Sequence, residues 1–105
     1  MAKEFDNGNF DKEVLNAAVP VLVDFFTPTC GPCRKLAPTI DKLATELDGV
    51  AVVGKVDVSE NSELGVTHRV SAVPTLVVFK NGREVERHLG VLPEDDLRKM
   101  VEKHK

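Results

Sequence analysis

The stretch Val19-Pro20-Val21-Leu22-Val23-Asp24-Phe25-Phe26-Thr27-Pro28-Thr29-Cys30-Gly31-Pro32-Cys33 decides the fold. From Val19 to Phe26 it is apolar at nearly every position, as a strand buried on both faces of a sheet must be, with Asp24 the exception. Beyond the cysteines, Leu36, Ala37, Ile40, Leu43, Ala44 and Leu47 recur at helical spacing and draw one apolar stripe along a helix of about four turns. A second apolar run, Val50-Ala51-Val52-Val53-Gly54-Lys55-Val56-Asp57-Val58, follows and is interrupted at Lys55. A strand, a helix and a strand in this order predict a parallel strand pair.

Outward from this unit the same alternation continues. Lys3-Glu4-Phe5 forms a first short strand, and Phe10 to Leu15 a short helix with Asn9 at its amino end as a cap. Downstream, Asn61 to Thr67 is a further short helix. Pro74 to Lys80 and Arg83 to Leu89 are strands joined by Asn81-Gly82, a pair that tolerates the positive φ of a type I′ turn, so the two strands make an antiparallel hairpin. Along the second of them Glu84, Glu86 and His88 alternate with Val85, Arg87 and Leu89, which suits an edge strand with one wet side. A last helix starts with Pro93 at its first position, acids in its first turn and Arg98, Lys99, Lys103 and Lys105 towards its end; Leu97, Met100 and Val101 pack it on the sheet. The sum is an α/β domain, a mixed sheet of four or five strands with helices on both faces.

The composition agrees with one such domain and excludes other classes. The chain has 105 residues and 11.5 kDa, for which folding to an accessible surface of ~5,800 Å² is expected, enough burial for a real core. That core draws on five Phe and on aliphatic residues, because Trp and Tyr are absent. Hydrophobic residues make up 42% and charged residues 30%, the balance of a globular protein rather than a disordered or collagenous one, and no apolar run is long enough to span a bilayer. Fourteen basic and 17 acidic residues are interspersed for a net charge of −3, which argues against nucleic acid as a partner. The opening residues Met1 to Asn7 hold one lysine and then acids with no apolar secretory core, so the expected location is the cytoplasm.

The chemistry concentrates at Cys30 and Cys33. A bridge between positions three apart closes too small a loop to stabilise much, so the pair calls for a chemical reason. Cys30 falls where the buried strand ends and the helix begins, at the sheet edge where sites of open α/β folds form. The unpaired N–H groups and positive dipole end there favour a thiolate, the species that attacks disulfides. Gly31 lets a partner's backbone approach, and Pro32 fixes φ early in the helix. Cys33, inside the first turn, is less exposed and keeps its proton longer. An exposed attacking thiolate with a second, resolving thiol is the arrangement of thiol–disulfide exchange. A metal half-site and an inert structural bridge are the alternatives; no second Cys or His pair supplies further metal ligands, so metal would require a dimer bridged through both copies.

Asp24 and Lys55 extend the site. A carboxylate among apolar neighbours loses hydration and its pKa rises, and Lys55, interrupting the neighbouring run, could reach it. Asp24 is then placed to handle the proton of Cys33, directly or through water; the other reading of either residue is a solvent-facing strand end. By residue type alone Val73-Pro74 is expected to be trans, since only about 5–6% of such bonds are cis. Pro38 is expected to kink the main helix. His68, His88 and His104 fall in a loop, an edge strand and a terminus, with surface positions expected for each.

Taken together, Val21-Leu22-Val23-Asp24-Phe25, Cys30-Gly31-Pro32-Cys33 with Pro38 behind it, Lys55-Val56-Asp57, Val73-Pro74-Thr75-Leu76, Asn81-Gly82 and Gly90 make the chain resemble the thioredoxin family over essentially its whole length. The resemblance implies the thioredoxin fold, a central five-stranded mixed sheet flanked by four helices, and a cis bond between Val73 and Pro74. It implies Cys30 as nucleophile, Cys33 as resolving thiol, Asp24 as buried proton-transfer group and Lys55 as its neighbour. By position, Ala72 and Val73 offer free backbone to a partner's chain as an added strand, with Thr29, Gly31, Pro32, Pro74 and Gly90 around them. No bound cofactor or metal is implied beyond the redox-active Cys30–Cys33 pair. The partners implied are a thioredoxin reductase using NADPH and oxidised client proteins, with no membrane or nucleic acid, and a monomer is expected. One departure is local: members of the family usually carry Trp before the first cysteine and often three residues earlier, where this chain has Thr29 and Phe26, so an apolar surface facing partners is reduced. The implied activity is protein-disulfide reduction. An oxidase or isomerase on the same fold, and a docking module in which redox chemistry is incidental, are the rival functions. The first is disfavoured by Gly31-Pro32, which puts no His beside the thiolate.

Overall fold

In a computed structural model describing residues 2–105, the elements in chain order are β1 (Lys3–Phe5), a π-helical turn (Asp11–Leu15), β2 (Val21–Phe26), α1 (Gly31–Glu46), β3 (Val52–Asp57), α2 (Ser62–Thr67), β4 (Thr75–Lys80), β5 (Arg83–Leu89) and α3 (Glu94–Glu102). The five strands lie in the order β1-β3-β2-β4-β5. β1 and β2 run parallel to β3, whereas β4 is antiparallel to both β2 and β5, so the sheet is mixed as expected. β2 is central, with all of Val21 to Phe25 buried, which explains its nearly continuous apolar sequence.

Successive side chains of a strand leave opposite faces, and the core divides accordingly. On one face Leu22, Val53, Leu76 and Val78 pack against Leu36, Ile40 and Leu43 of α1 and Leu97, Met100 and Val101 of α3. On the other, Val21, Val23, Phe25, Val77 and Phe79 pack against Phe5, Phe10, Val14 and Leu64. Phe10 anchors that second half through edge-on contacts with Phe5 and Phe79 at 6.2 and 5.6 Å between ring centroids. The accessible surface is 5757 Å², the value a compact chain of this mass should have. None of the described helices is long and apolar enough to cross a membrane.

Several local expectations are corrected. Val73–Pro74 is cis, as the resemblance implied and the base rate for proline did not. Asn9 does not cap the first helical turn: Asp6 does the local bonding, its Oδ1 accepting from the N–H groups of Gly8 and Asn9, while Asn9 Oδ1 accepts from Asp6 N–H. Pro93, with φ −60° and ψ 154°, precedes α3 as its cap residue rather than occupying the first helical position. α1 runs as one helix, Gly31–Glu46, with Pro38 inside it and exposed. On β5 a register irregularity opposite Val78 and Phe79 disturbs the alternation, leaving Val85 and Leu89 exposed while Glu86 and His88 turn half-buried towards α3.

None of the three histidines sits on the open surface. His68 closes the aromatic cluster, its ring 4.9 Å from Phe10, 5.4 Å from Phe79 and 5.9 Å from Phe25, and burial holds its pKa below the ordinary value. His104 is tied to Glu86 by a 2.8 Å contact between Nε2 and Oε1. These positions follow from tertiary packing of the segments that carry them, which local sequence pattern does not record.

Candidate active site

Pro20 ends the approach to β2, and the strand carries Asp24 inward to a position 3% exposed. After Phe26 the chain turns through Thr27, with Cys30 N–H donating to the Thr27 carbonyl at 3.2 Å, and α1 begins. Cys30 is the N-cap of α1, in extended conformation, and its sulfur accepts from the Cys33 N–H at 3.2 Å. A sulfur in that position faces the helix's unpaired donors, which favours negative charge on it. The first turn of α1 contains no acid, and Arg34 and Lys35 follow directly, so α1's own charges near Cys30 are basic.

Cys30 and Cys33 form a disulfide with their Cα atoms 5.2 Å apart. The two sulfurs differ in environment: Cys30 is partly exposed, and Cys33 is buried against the α1 face of the sheet. Thr29 and Pro32 are exposed on either side of Cys30, and Gly31 is half-buried with open space where a Cβ would stand.

Asp24 lies opposite Lys55 in the parallel β2–β3 pair, and both border a cavity of about 200 Å³ together with Cys33, Phe26, Thr27, Pro28, Arg34 and Ala37. The Oδ1 atom of Asp24 is buried without a hydrogen-bond partner. Loss of hydration pushes its carboxyl from 3.8 up to about 7, and the attraction of Lys55 offsets part of that rise. Lys55 is half-buried, its ammonium 5.5 Å from the centroid of the Phe26 ring.

The cis loop completes the rim. The Val73 carbonyl oxygen is 3.8 Å from the Cys30 sulfur, so β4's amino end and α1's amino end meet at the disulfide. Thr75 is buried, and its hydroxyl donates to the Ala72 carbonyl at 2.6 Å, bracing the loop from below. Among the described residues the Val73 N–H has no acceptor. Gly90, at φ +102°, donates its N–H to the Pro74 carbonyl at 2.9 Å, which places it behind the same loop.

Every candidate residue is therefore at one end of the sheet. Cys30 and Cys33 form the disulfide, Cys33, Asp24 and Lys55 border the cavity, Thr29, Gly31, Pro32, Ala72 and Val73 form the rim, and Pro74 and Gly90 support it. Sequence reasoning missed Thr75 as a brace and Phe26 as a neighbour of Lys55. The second was within reach, since Phe26 follows Asp24 by two positions on one strand and so shares its face.

Against known proteins, the thioredoxin family model matches residues 1–103. The chain is 40% identical over 103 residues to Thioredoxin 1 of Nostoc sp., covering 98% of this chain and 96% of that one. It is 42% identical over 104 residues to the thioredoxin of Chlamydia pneumoniae, covering 99% of each. A mitochondrial thioredoxin of Mus musculus is 38% identical over 98 residues, covering 93% of this chain and 59% of that one.

Proposed function

This chain belongs to the thioredoxin family and is a thiol–disulfide oxidoreductase, a disulfide reductase with Cys30 and Cys33 as its redox pair; on that premise we propose the roles of its residues and its partners. The Cys30 thiolate attacks one sulfur of a client protein's disulfide, forming the Cys30–client mixed disulfide and expelling the client's other sulfur as a thiolate, which takes a proton from water. Cys33 then gives its thiol proton to the Asp24 carboxylate, directly or through a water in the adjoining cavity. Its thiolate attacks the Cys30 sulfur and displaces the second client sulfur. Two electrons have passed from the dithiol to the client, and Cys30–Cys33 is left as a disulfide. A separate reductase drawing on NADPH returns two electrons and restores the dithiol. Proton transfer at Cys33 suits a carboxyl held near neutrality, because such a group exists in both charge states at working pH.

Clients are held at the rim by an extended segment whose carbonyl accepts from the free Val73 N–H, beside Thr29, Gly31, Pro32, Ala72 and Gly90. The protein works as a monomer in the cytoplasm. The observation that carries these roles is the asymmetry of the pair: a partly exposed sulfur at a helix amino end and a buried one beside Asp24. Replacing Cys33 with Ser tests it. Client mixed disulfides should then accumulate on Cys30 and be visible by mass; accumulation in a Cys30→Ser variant instead would reverse the roles. Turnover with a thioredoxin reductase and NADPH tests the electron source, and consumption of NADPH only when this protein is present is the expected result.

A further inference from the structure

β2 and β3 lie in parallel register with Asp24 opposite Lys55, and the two-residue period of β2 puts Phe26 on the same face. The Lys55 ammonium stands over the Phe26 ring, 5.5 Å from its centroid, within the range where the electron-rich face attracts a cation. Among the described residues no carboxylate forms a salt bridge with Lys55, and no hydrogen bond fixes its nitrogen. A lysine side chain with four rotatable bonds and no such partner would otherwise swing its ammonium into water. The ring is the contact the ammonium has, and both border the cavity that Asp24 and Cys33 share.

We propose that Phe26 is a positioning residue for the exchange reaction: its ring face holds the Lys55 ammonium towards Asp24 and so sets the charge state of the group that takes the Cys33 proton. This rests on the assignment of Asp24 as proton acceptor. The Asp24 carboxylate has an oxygen without a hydrogen-bond partner, so its ionised form depends on nearby charge. The groups around it are few. β3 contributes Lys55, α1 contributes Arg34 and Cys33, which is uncharged in the disulfide, at the same cavity, and β4 contributes the uncharged Leu76 opposite Asp24. Asp57, opposite Phe26, has its Oδ1 engaged by the backbone N–H and hydroxyl of Ser59. Lys55 is the charge that acts on Asp24 and eases its ionisation, so moving Lys55 moves Asp24. A leucine at position 26 keeps an apolar side chain but has no ring face, whereas tyrosine and tryptophan keep one.

The test is a carboxyl-carbon NMR titration of Asp24 in the oxidised protein. In Phe26→Leu the midpoint should rise by about half a pH unit, the scale of a partly exposed cation–π contact. Phe26→Tyr and Phe26→Trp should hold it near its original place, and in a Lys55→Met background Phe26→Leu should leave it unmoved. Better access of water to the cavity would lower the midpoint and do so in both backgrounds, so a fall, no change, or an equal shift without Lys55 overturns the proposal. Should Phe26→Leu not fold, the unsubstituted protein still decides: the ε-methylene protons of Lys55 should resonate upfield through the Phe26 ring current, and ordinary lysine shifts overturn the proposal. The pH profile of mixed-disulfide resolution should move with the titration. If Asp24→Asn leaves that rate unaltered while the titration shifts occur, the proton-acceptor reading is overturned and the proposal's functional half with it, separately from the geometry.

Discussion

Burial of Asp24 opposes folding as soon as its carboxyl ionises. Its folded pKa is raised from 3.8 to about 7, so between those values the folded protein keeps a proton that the unfolded chain releases. Stability from this group is therefore full below pH 4, falls as pH rises through 7, and levels off above. Asp24→Asn keeps the shape and removes the titration, so urea unfolding should show a gain on the order of 4 kcal/mol at pH 8, with the attraction of Lys55 already contained in the shifted pKa, and little gain at pH 3.5. Equal gains at both values would mean that ionisation is not the cause. The same variant should slow release of client from the mixed disulfide about tenfold, below the usual range for general-base groups because water can take the proton instead.

At the scale of elements, β1 depends on Gly54. A Cβ there would lie 2.8 Å from the Lys3 carbonyl oxygen and run into the Phe5 ring, and the backbone oxygen cannot move without breaking the β1–β3 pairing. Gly54→Ala should cost roughly 2 kcal/mol and expose the amide hydrogens of Lys3 to Phe5 to faster exchange, with slow exchange there contradicting the account.

Most elements were legible because each has a strong local cause. The continuous apolar run of β2, the helical stripe of α1 and the Asn81-Gly82 turn, with φ of 55° and 80°, act through neighbours in the chain. The cysteine pair was legible for the same reason. What pattern did not reveal depends on contacts between distant segments: His68 against three phenylalanines, the bulge opposite Val78 and Phe79, and the hydroxyl of Thr75 under Ala72. The cis bond before Pro74 belongs to this second kind. Residue type alone predicts trans, and only the resemblance of the whole chain pointed the other way.

The molecule as a whole separates what folds from what reacts. Two apolar clusters on either face of one sheet form the core, while the disulfide sits at the end of the sheet where β2 runs into α1 and the cis loop arrives. The bridge closes so short a loop that it contributes at most about 2 kcal/mol. Reduction should therefore leave the far-ultraviolet circular dichroism unchanged and lower the unfolding midpoint only modestly; loss of structure on reduction would show that the bridge holds the fold. A protein that keeps its shape in both redox states can cycle without unfolding. The most direct measurement of that cycle follows the reduction of a protein disulfide by dithiothreitol with and without this protein. A catalytic acceleration is expected that disappears in Cys30→Ser and stalls as a mixed disulfide in Cys33→Ser. No acceleration, or an acceleration that survives Cys30→Ser, would contradict it.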